Sequence, residues 1–346
     1  MGGKVMDNNL LELPFDQYQR YRDIKEVADN LRGNKPLKVL DVGGNPGIIR
    51  DFLTKDKATI VDVVDADIED YVKADGSKLS FDDNSFDLVC SIDTLEHVDP
   101  KKREKFLEEM ARVSSDFIIL ICPFEDGPVK LAEEVAYDFY ESTFDKGWDV
   151  LGEHLDNGLP DLEETRGFFE KRKMKPVVIP SGYIYNWLLM QIATIHSIAL
   201  PNSQKLIAIV NRFYNENHYR SDHRNPSYRK VIVAGKKTEI PEDLANKFAP
   251  RKEGQSDFFE TFSTLMAVID FKYKNNLTKN FIKEIKETHK ILKDKDVHIQ
   301  NLEKIINDQT QHLKNLEEWA SKIQSSKTYK VYSSIRKLGT GSKNDK

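Results

Sequence analysis

Two uninterrupted apolar runs, FDLVCSI (Phe86–Ile92) and DFIILIC (Asp116–Cys122), flank a helical stretch that Asp99-Pro100 opens and that runs to about Val113. A strand with no polar alternation must be covered on both faces, as in a parallel sheet between helix layers. The same rhythm surrounds these runs. KPLKVLDVGG gives a short strand stopped by glycines, followed by a helix at about Ile48–Lys55 and strands at Ala58–Val64 and Tyr71–Ala74. A helix at Asp16–Leu31 precedes them, and KPVVIP (Lys175–Pro180) and YRKVIVAG (Tyr228–Gly235) supply later strands. Strands alternating with helices predict an α/β sheet with helices on both sides.

Between Glu125 and Arg172 lies a polar, aromatic-rich insertion, too long for a simple connection and expected to shape a pocket. The sheet domain is expected to end in the charged run GKKTEIPED. Apolar residues make up only 39% of the 346-residue chain and charged residues 32%, and the C-terminal third explains the imbalance. A helical stretch at about Phe258–Tyr273 leads into a heptad pattern. Its a positions are Ile285, Leu292, Ile299, Ile306, Leu313 and Ala320, and its d positions Thr288, Lys295, Leu302, Gln309, Leu316 and Ile323. Nine of these twelve are apolar, a repeat that favours left-handed supercoiling with a partner helix. A single long helix folding back on its own domain is the alternative. The expected division is a domain over 1–240 with its insertion at about 125–172, a helical linker over 241–280, a coiled coil over 281–325 and a basic tail over 326–346.

The net charge of −5 argues against a globally basic nucleic-acid binder, although residues 327–346 carry six Lys/Arg against one Asp. Val331, Ile335 and Leu338 share one helical face in that tail, so it either touches an anionic membrane or a partner, or is a solvated terminus. Cys90 and Cys122 are too few for a disulfide framework or a multi-cysteine zinc site; they are expected to be inert core thiols in a cytoplasmic protein, and no metal is expected. MGGKVMDNNL has no apolar signal-peptide core, and Met6 stands where a myristoylation motif wants Ser or Thr. The apolar window Tyr183–Leu200 contains Asn186, Gln191, Thr194, His196 and Ser197, and reads as a buried helix.

The segment VLDVGGNPG, Val39–Gly47, joins a strand to a helix through a glycine-rich turn at the carboxyl edge of the sheet, where ligands bind. The spacing of Gly43, Gly44 and Gly47 is wrong for a dinucleotide fingerprint, and Pro46 interrupts it. With Asp41 before the turn, the chain resembles the class I S-adenosylmethionine-dependent methyltransferases of methyltransferase type 11. Asp41, Gly43 and Gly47 match their first motif, with Asn45 replacing its central glycine and Gly44 beside it. Asp62 matches the acid that takes the ribose hydroxyls, with Asp65 as runner-up. Asp75 and Gly76 match the adenine segment, and SIDTLEHV, from Ser91 through Asp93 to Val98, the motif after the fourth strand. The resemblance covers residues 36–123 closely and 16–235 more loosely. It implies a doubly wound, Rossmann-like, seven-stranded and mostly parallel sheet, S-adenosylmethionine as cofactor, and binding by Asp41, Gly43, Gly44, Asn45, Gly47, Asp62, Asp75, Gly76, Ser91 and Asp93.

More narrowly, QYQRY (Gln17–Tyr21), LDVGG, GEHLDNGLPD (Gly152–Asp161) and the tail containing DVHIQNLE resemble methyltransferases of bacterial and archaeal surface-polysaccharide assembly. That implies O-methylation of a glycan or glycan precursor, with the coiled coil joining copies of the chain or docking a glycosyltransferase at the inner membrane face. A small-molecule or lipid-quinone acceptor and a non-catalytic scaffold are the alternatives.

A hydroxyl acceptor must lose a proton, which calls for a nearby base. His97, after the fourth strand, and His154, in the insertion beside Glu153, are the candidates; packing of a loop and a surface position are their plainer readings. Asp93 and Glu96 are expected to act as base, to contact the cofactor or to face water. His218 and His223 in NENHYRSDHRNPSY are expected in a solvated loop rather than as a metal pair, and His196 in a structural role. Trp148 and Tyr183 are candidate sugar-stacking rings.

Overall fold

The computed structural model describes residues 10–33, 35–200, 203–250 and 258–340, with side chains described outside 258–277 and 337–340. Seven strands form one sheet: β1 (Lys38–Val42), β2 (Lys57–Asp62), β3 (Tyr71–Lys73), β4 (Phe86–Ile92), β5 (Ser114–Pro123), β6 (Val177–Tyr183) and β7 (Ser227–Gly235). Their order is β3-β2-β1-β4-β5-β7-β6, with β7 antiparallel to both of its neighbours. The strand order reverses between β1 and β4, which opens a crevice at their carboxyl ends.

The helices are α1 (Phe15–Leu31), α2 (Ile49–Phe52), α3 (Arg103–Val113), α4 (Gly127–Phe144), α5 (Asp149–Asn157), α6 (Leu162–Lys171), α7 (Ile184–Ile198), α8 (Gln204–Asn217), α9 (Leu244–Phe248), α10 (Phe258–Ser325) and α11 (Lys327–Thr340). Alternate residues of the central strands feed two separate cores. Ile119, Ile121, Val231 and Val233 pack with Tyr18, Ile24 and Val27 of α1, whereas Ile118, Leu120, Ile232 and Ala234 pack with Phe106 and Met110 of α3. Burial on both faces is what the unbroken apolar runs require. Cys90 and Cys122 lie in opposite cores as free, buried thiols.

Local departures from the sequence reading have local causes. β2 stops at Asp62 rather than Val64 because the Asp62 carboxylate accepts the Val64 N–H and turns the chain. The helix after the glycine turn is a single turn, Ile49–Phe52, and Pro100 opens a 3₁₀ turn before α3. The insertion is α4, α5 and α6. Beyond β7, Leu244 and Phe248 of α9 are buried in the α1-side core, so the packed domain continues past residue 240.

The chain divides into two compact units, Met1–Thr264 and Leu265–Lys346. In the second, α10 continues as one unbroken helix to Ser325. Ile285, Leu292, Ile299, Leu302, Ile306, Leu313 and Leu316 form an apolar seam along it, each 45–60% exposed. Val331 and Ile335 of α11 are exposed; the Leu338 side chain and residues 341–346 lie outside the described residues. No helix among the described residues is long and apolar enough to cross a membrane.

Candidate active site

The crevice beside β1 is a cleft of about 350 Å³, within the usual range of small-molecule sites. Val42, Gly43, Asp62, Asp75, Gly76, Asp93, His97 and Phe106 are among the residues lining it. Gly43 follows β1 with φ +84°, and a Cβ there would fall 2.2 Å from Thr94 Oγ1. Its N–H donates to Val61 O at 2.7 Å, tying the turn to β2. A Cβ on Gly76 would fall 2.4 Å from the Phe106 ring, so the bare backbone is what lets that ring line the cleft.

The acids at the strand tips divide by task. Asp62 Oδ2 accepts the Asn45 N–H at 3.2 Å, which braces the glycine turn, while the side chain stays partly open to the cleft. Asp65 points out to solvent and pairs with Lys73 at 2.6 Å, leaving Asp62 as the cleft acid. Asp75 Oδ1 accepts from Ser77 N and Oγ, and these bonds hold its carboxyl below the ordinary Asp range. Its other oxygen faces Lys102 at 3.3 Å. Asp93, at φ +45°, is clasped by Arg229 and Arg20; against the cost of burial, these cations hold its carboxyl far below the ordinary range. It is therefore a fixed anion on the cleft wall rather than a base.

Asp41 and Ser91 are fully buried and are not among the residues lining the cleft. Asp41 lies beneath the turn: Oδ2 is 2.3 Å from an ideal Cβ on Gly44 and has no hydrogen-bond partner, and burial pushes its carboxyl up to about 7. Gly44, Asn45 and Gly47 form the turn that follows Gly43, with Gly44 and Gly47 buried, Asn45 exposed and the Gly47 N–H donating to Gly44 O.

The two candidate histidines come together. His97 is the last residue of the 3₁₀ turn Leu95–His97 after β4, and His154 projects from α5 with only 4% of its surface exposed. Their Nε2 atoms are 3.3 Å apart. His97 Nδ1 bonds Glu153 Oε2 at 2.7 Å, and His154 Nδ1 bonds Glu133 Oε1 at 2.8 Å. Desolvation, then the neighbouring imidazole, push His97 below the ordinary His range, although Glu153 opposes them. The Tyr228 hydroxyl donates to Glu133 at 2.8 Å, and its ring stacks on Trp187 at a centroid distance of 3.7 Å. Glu96 is buried beside the pair rather than facing water.

Sequence reasoning did not find Glu133, Tyr228, Arg20 or Arg229. Glu133 had a signal, since it falls on the buried stripe of α4 with Val129, Ala132 and Ala136. An acid on an apolar helix face demands a partner. His218 and His223 are buried rather than solvated: His223 Nε2, Tyr219 and Ser181 all bond the enclosed Asp23 carboxylate. His196 lies half-buried in α7.

The cleft suits a cationic nucleoside, with Asp62, Asp75 and Asp99 on its wall against Lys102 and close backbone approach at Gly43 and Gly76. Residues 40–116 match the family model described as a methyltransferase domain. The chain is 28% identical over 169 residues to the ubiquinone/menaquinone biosynthesis C-methyltransferase UbiE of Idiomarina loihiensis, over 42% of this chain and 66% of that protein. Among solved structures it is similar to the PH0226 protein from Pyrococcus horikoshii OT3, with 26% identity and a TM-score of 0.26 over 30% of this chain and 59% of that one. It is also similar to magnesium protoporphyrin IX methyltransferase from Synechocystis PCC 6803 with bound SAH, with 9% identity and a TM-score of 0.39 over 68% and 90%. The chain thus spans less than two thirds of the first two relatives. What the chain shares with these proteins is thus centred on residues 40–116, the segment that matches the methyltransferase domain and that carries Gly43, Asp62, Asp75, Gly76 and His97.

Proposed function

We propose, from the methyltransferase domain that this chain carries, that it transfers a methyl group from S-adenosylmethionine to a hydroxyl oxygen of a glycan or glycan precursor. The observation that carries this reading is His97 on the cleft wall with His154 at its back, each imidazole held by a carboxylate. When bound, the cofactor supplies a methyl carbon made electrophilic by its sulfonium. Gly43, Asp62, Asp75 and Gly76 would hold the nucleoside, and the strand-tip anions offset its charge. Methyl transfer to an acceptor oxygen lined up with the cofactor's methyl group would release the hydroxyl proton, and His97, on the cleft wall with His154 behind it, would receive it.

The glycan class rests on the sequence resemblance and on Trp148, which stacks on Tyr140 at 4.9 Å in the insertion and stays partly exposed. Aromatic faces of this kind receive sugar rings. A second reading, carbon methylation of a quinone-like small molecule, is favoured by the named activity of the Idiomarina relative. The exposed heptad seam of α10 supports pairing with another copy of this chain, or with a glycosyltransferase.

Calorimetric titration with S-adenosylmethionine and S-adenosylhomocysteine, followed by methyl-transfer assays on glycan and quinone-precursor acceptors, tests the reading. Binding with transfer to glycan oxygen supports it. Transfer to a ring carbon selects the second reading, and absence of cofactor binding sinks both.

A further inference from the structure

We propose that Glu96, His97 and His154 form a divalent metal site of the zinc class at the back of the cleft. The first observation is the contact between the imidazoles. A carboxylate accepts only, so Glu153 and Glu133 assign the hydrogen of each neutral ring to Nδ1. Both Nε2 atoms then carry lone pairs, and these face each other at 3.3 Å. Two acceptors at that distance repel unless an electrophile lies between them. Two nitrogens about 2.05 Å from a tetrahedral zinc ion stand about 3.3 Å apart, so the spacing matches a shared ion.

A shared proton would also satisfy the imidazoles, but it would leave Glu96 without a reason. Glu96 is 1% exposed, and neither carboxylate oxygen has a hydrogen-bond partner. A carboxylate is not left buried and unpaired at no cost. One ligand atom from each of Glu96, His97 and His154 lies within 4.8 Å of the other two. An ion among them satisfies all three residues at once.

The surroundings repeat the pattern of metal-binding histidines. Such residues give their other ring N–H to a carboxylate, which fixes the tautomer and raises the basicity of the ligating nitrogen. His97 and His154 both do so, and Tyr228 in turn fixes Glu133. Two His and one carboxylate, with His97 on the cleft wall, leave a coordination position open toward the cleft, the arrangement of a catalytic rather than a structural ion.

Metal binding stands on this geometry alone. Its use in catalysis rests on the methyl-transfer reading and changes the role of the imidazoles there: with both Nε2 atoms on the ion they hold the metal instead of taking the proton, and an acceptor hydroxyl at the open position would lose its proton to water more readily, as metal-bound water does. The experiment uses the full chain, stripped with a chelator and titrated with zinc chloride, and with cobalt(II) as an absorbing probe, in the absence of S-adenosylmethionine. The expected result is saturable binding of about one ion per chain and a visible cobalt band. Glu96→Gln, His97→Ala and His154→Ala should each abolish the band and weaken binding at least tenfold; Glu133→Gln should weaken it about 10–100-fold. Circular dichroism checks the fold. If His154→Ala does not fold, His97→Ala decides, because that side chain is part-exposed. No saturable binding in the wild type, or unchanged affinity in the folded histidine variants, overturns the proposal. A chain that binds zinc but no S-adenosylmethionine keeps this site and sinks the methyl-transfer reading instead.

Discussion

The Asp93 carboxylate lies against the Arg229 guanidinium, with Nε 2.7 Å from Oδ1 and 2.9 Å from Oδ2. The pair joins the loop after β4 to the one antiparallel strand, and Arg20 of α1 closes it from the third side. It fixes the loop that carries Glu96 and His97. Removing one partner of a buried pair strands the other charge.

Arg229→Met should therefore destabilise the fold by about 3–5 kcal/mol, with Asp93 losing its main counter-ion. Urea denaturation measures this. A loss within ordinary surface scatter would show that Arg20 alone suffices.

Asp62→Ala removes the cleft acid at the tip of β2 together with its bond to Asn45 N. Loss of a charge-assisted bond of about 1.5–3 kcal/mol predicts roughly 10–100-fold weaker binding of S-adenosylhomocysteine. Calorimetry showing an unchanged Kd would remove Asp62 from the binding site.

Gly76→Ala places a methyl group 2.4 Å from Phe106 Cε2 and 2.8 Å from Val42 Cγ1. Overpacking of this kind costs about 1–3 kcal/mol and displaces the ring that lines the cleft. A lower melting temperature and weaker cofactor binding should appear together. Wild-type values for both would show that Phe106 yields freely.

Asp41 gives a pH signature. Burial, opposed by the Cys90 contact, places its folded pKa at about 7, whereas an unfolded Asp ionises at about 3.9. Between those values the folded chain keeps a proton that the unfolded chain has lost. This contribution, on the order of 4 kcal/mol, is whole below about pH 4 and is lost as pH rises through about 7. Urea midpoints across that window should fall more steeply for the wild type than for Asp41→Asn. Parallel slopes would refute the assignment.

The α10 seam predicts self-association. Sedimentation equilibrium should find the wild type oligomeric and a doubly substituted chain, Ile299→Asp with Leu302→Asp, dissociated, because charges at a and d positions cannot be buried together. A monomeric wild type would leave the seam to a different partner.

The sequence by itself determined the strands, their two-sided burial, the glycine turn and the acids at the strand tips. Each of these is written in a local pattern: unbroken apolar runs, glycines before a helix, an acid after a strand. It named His97 and His154 but could not join them. They are 57 residues apart, and only the packing of α5 against the turn after β4 brings their rings together. Glu133, Tyr228 and Arg229 were decided in the same way. Arg229 reaches Asp93 across 136 residues because β7 runs antiparallel beside β5. Tertiary structure also moved Asp41 and Ser91 behind the cleft wall and buried His223 against Asp23. The reason is common to all of them. Periodicity says which face of an element is covered, whereas the partner of a buried polar group is fixed only when distant elements pack.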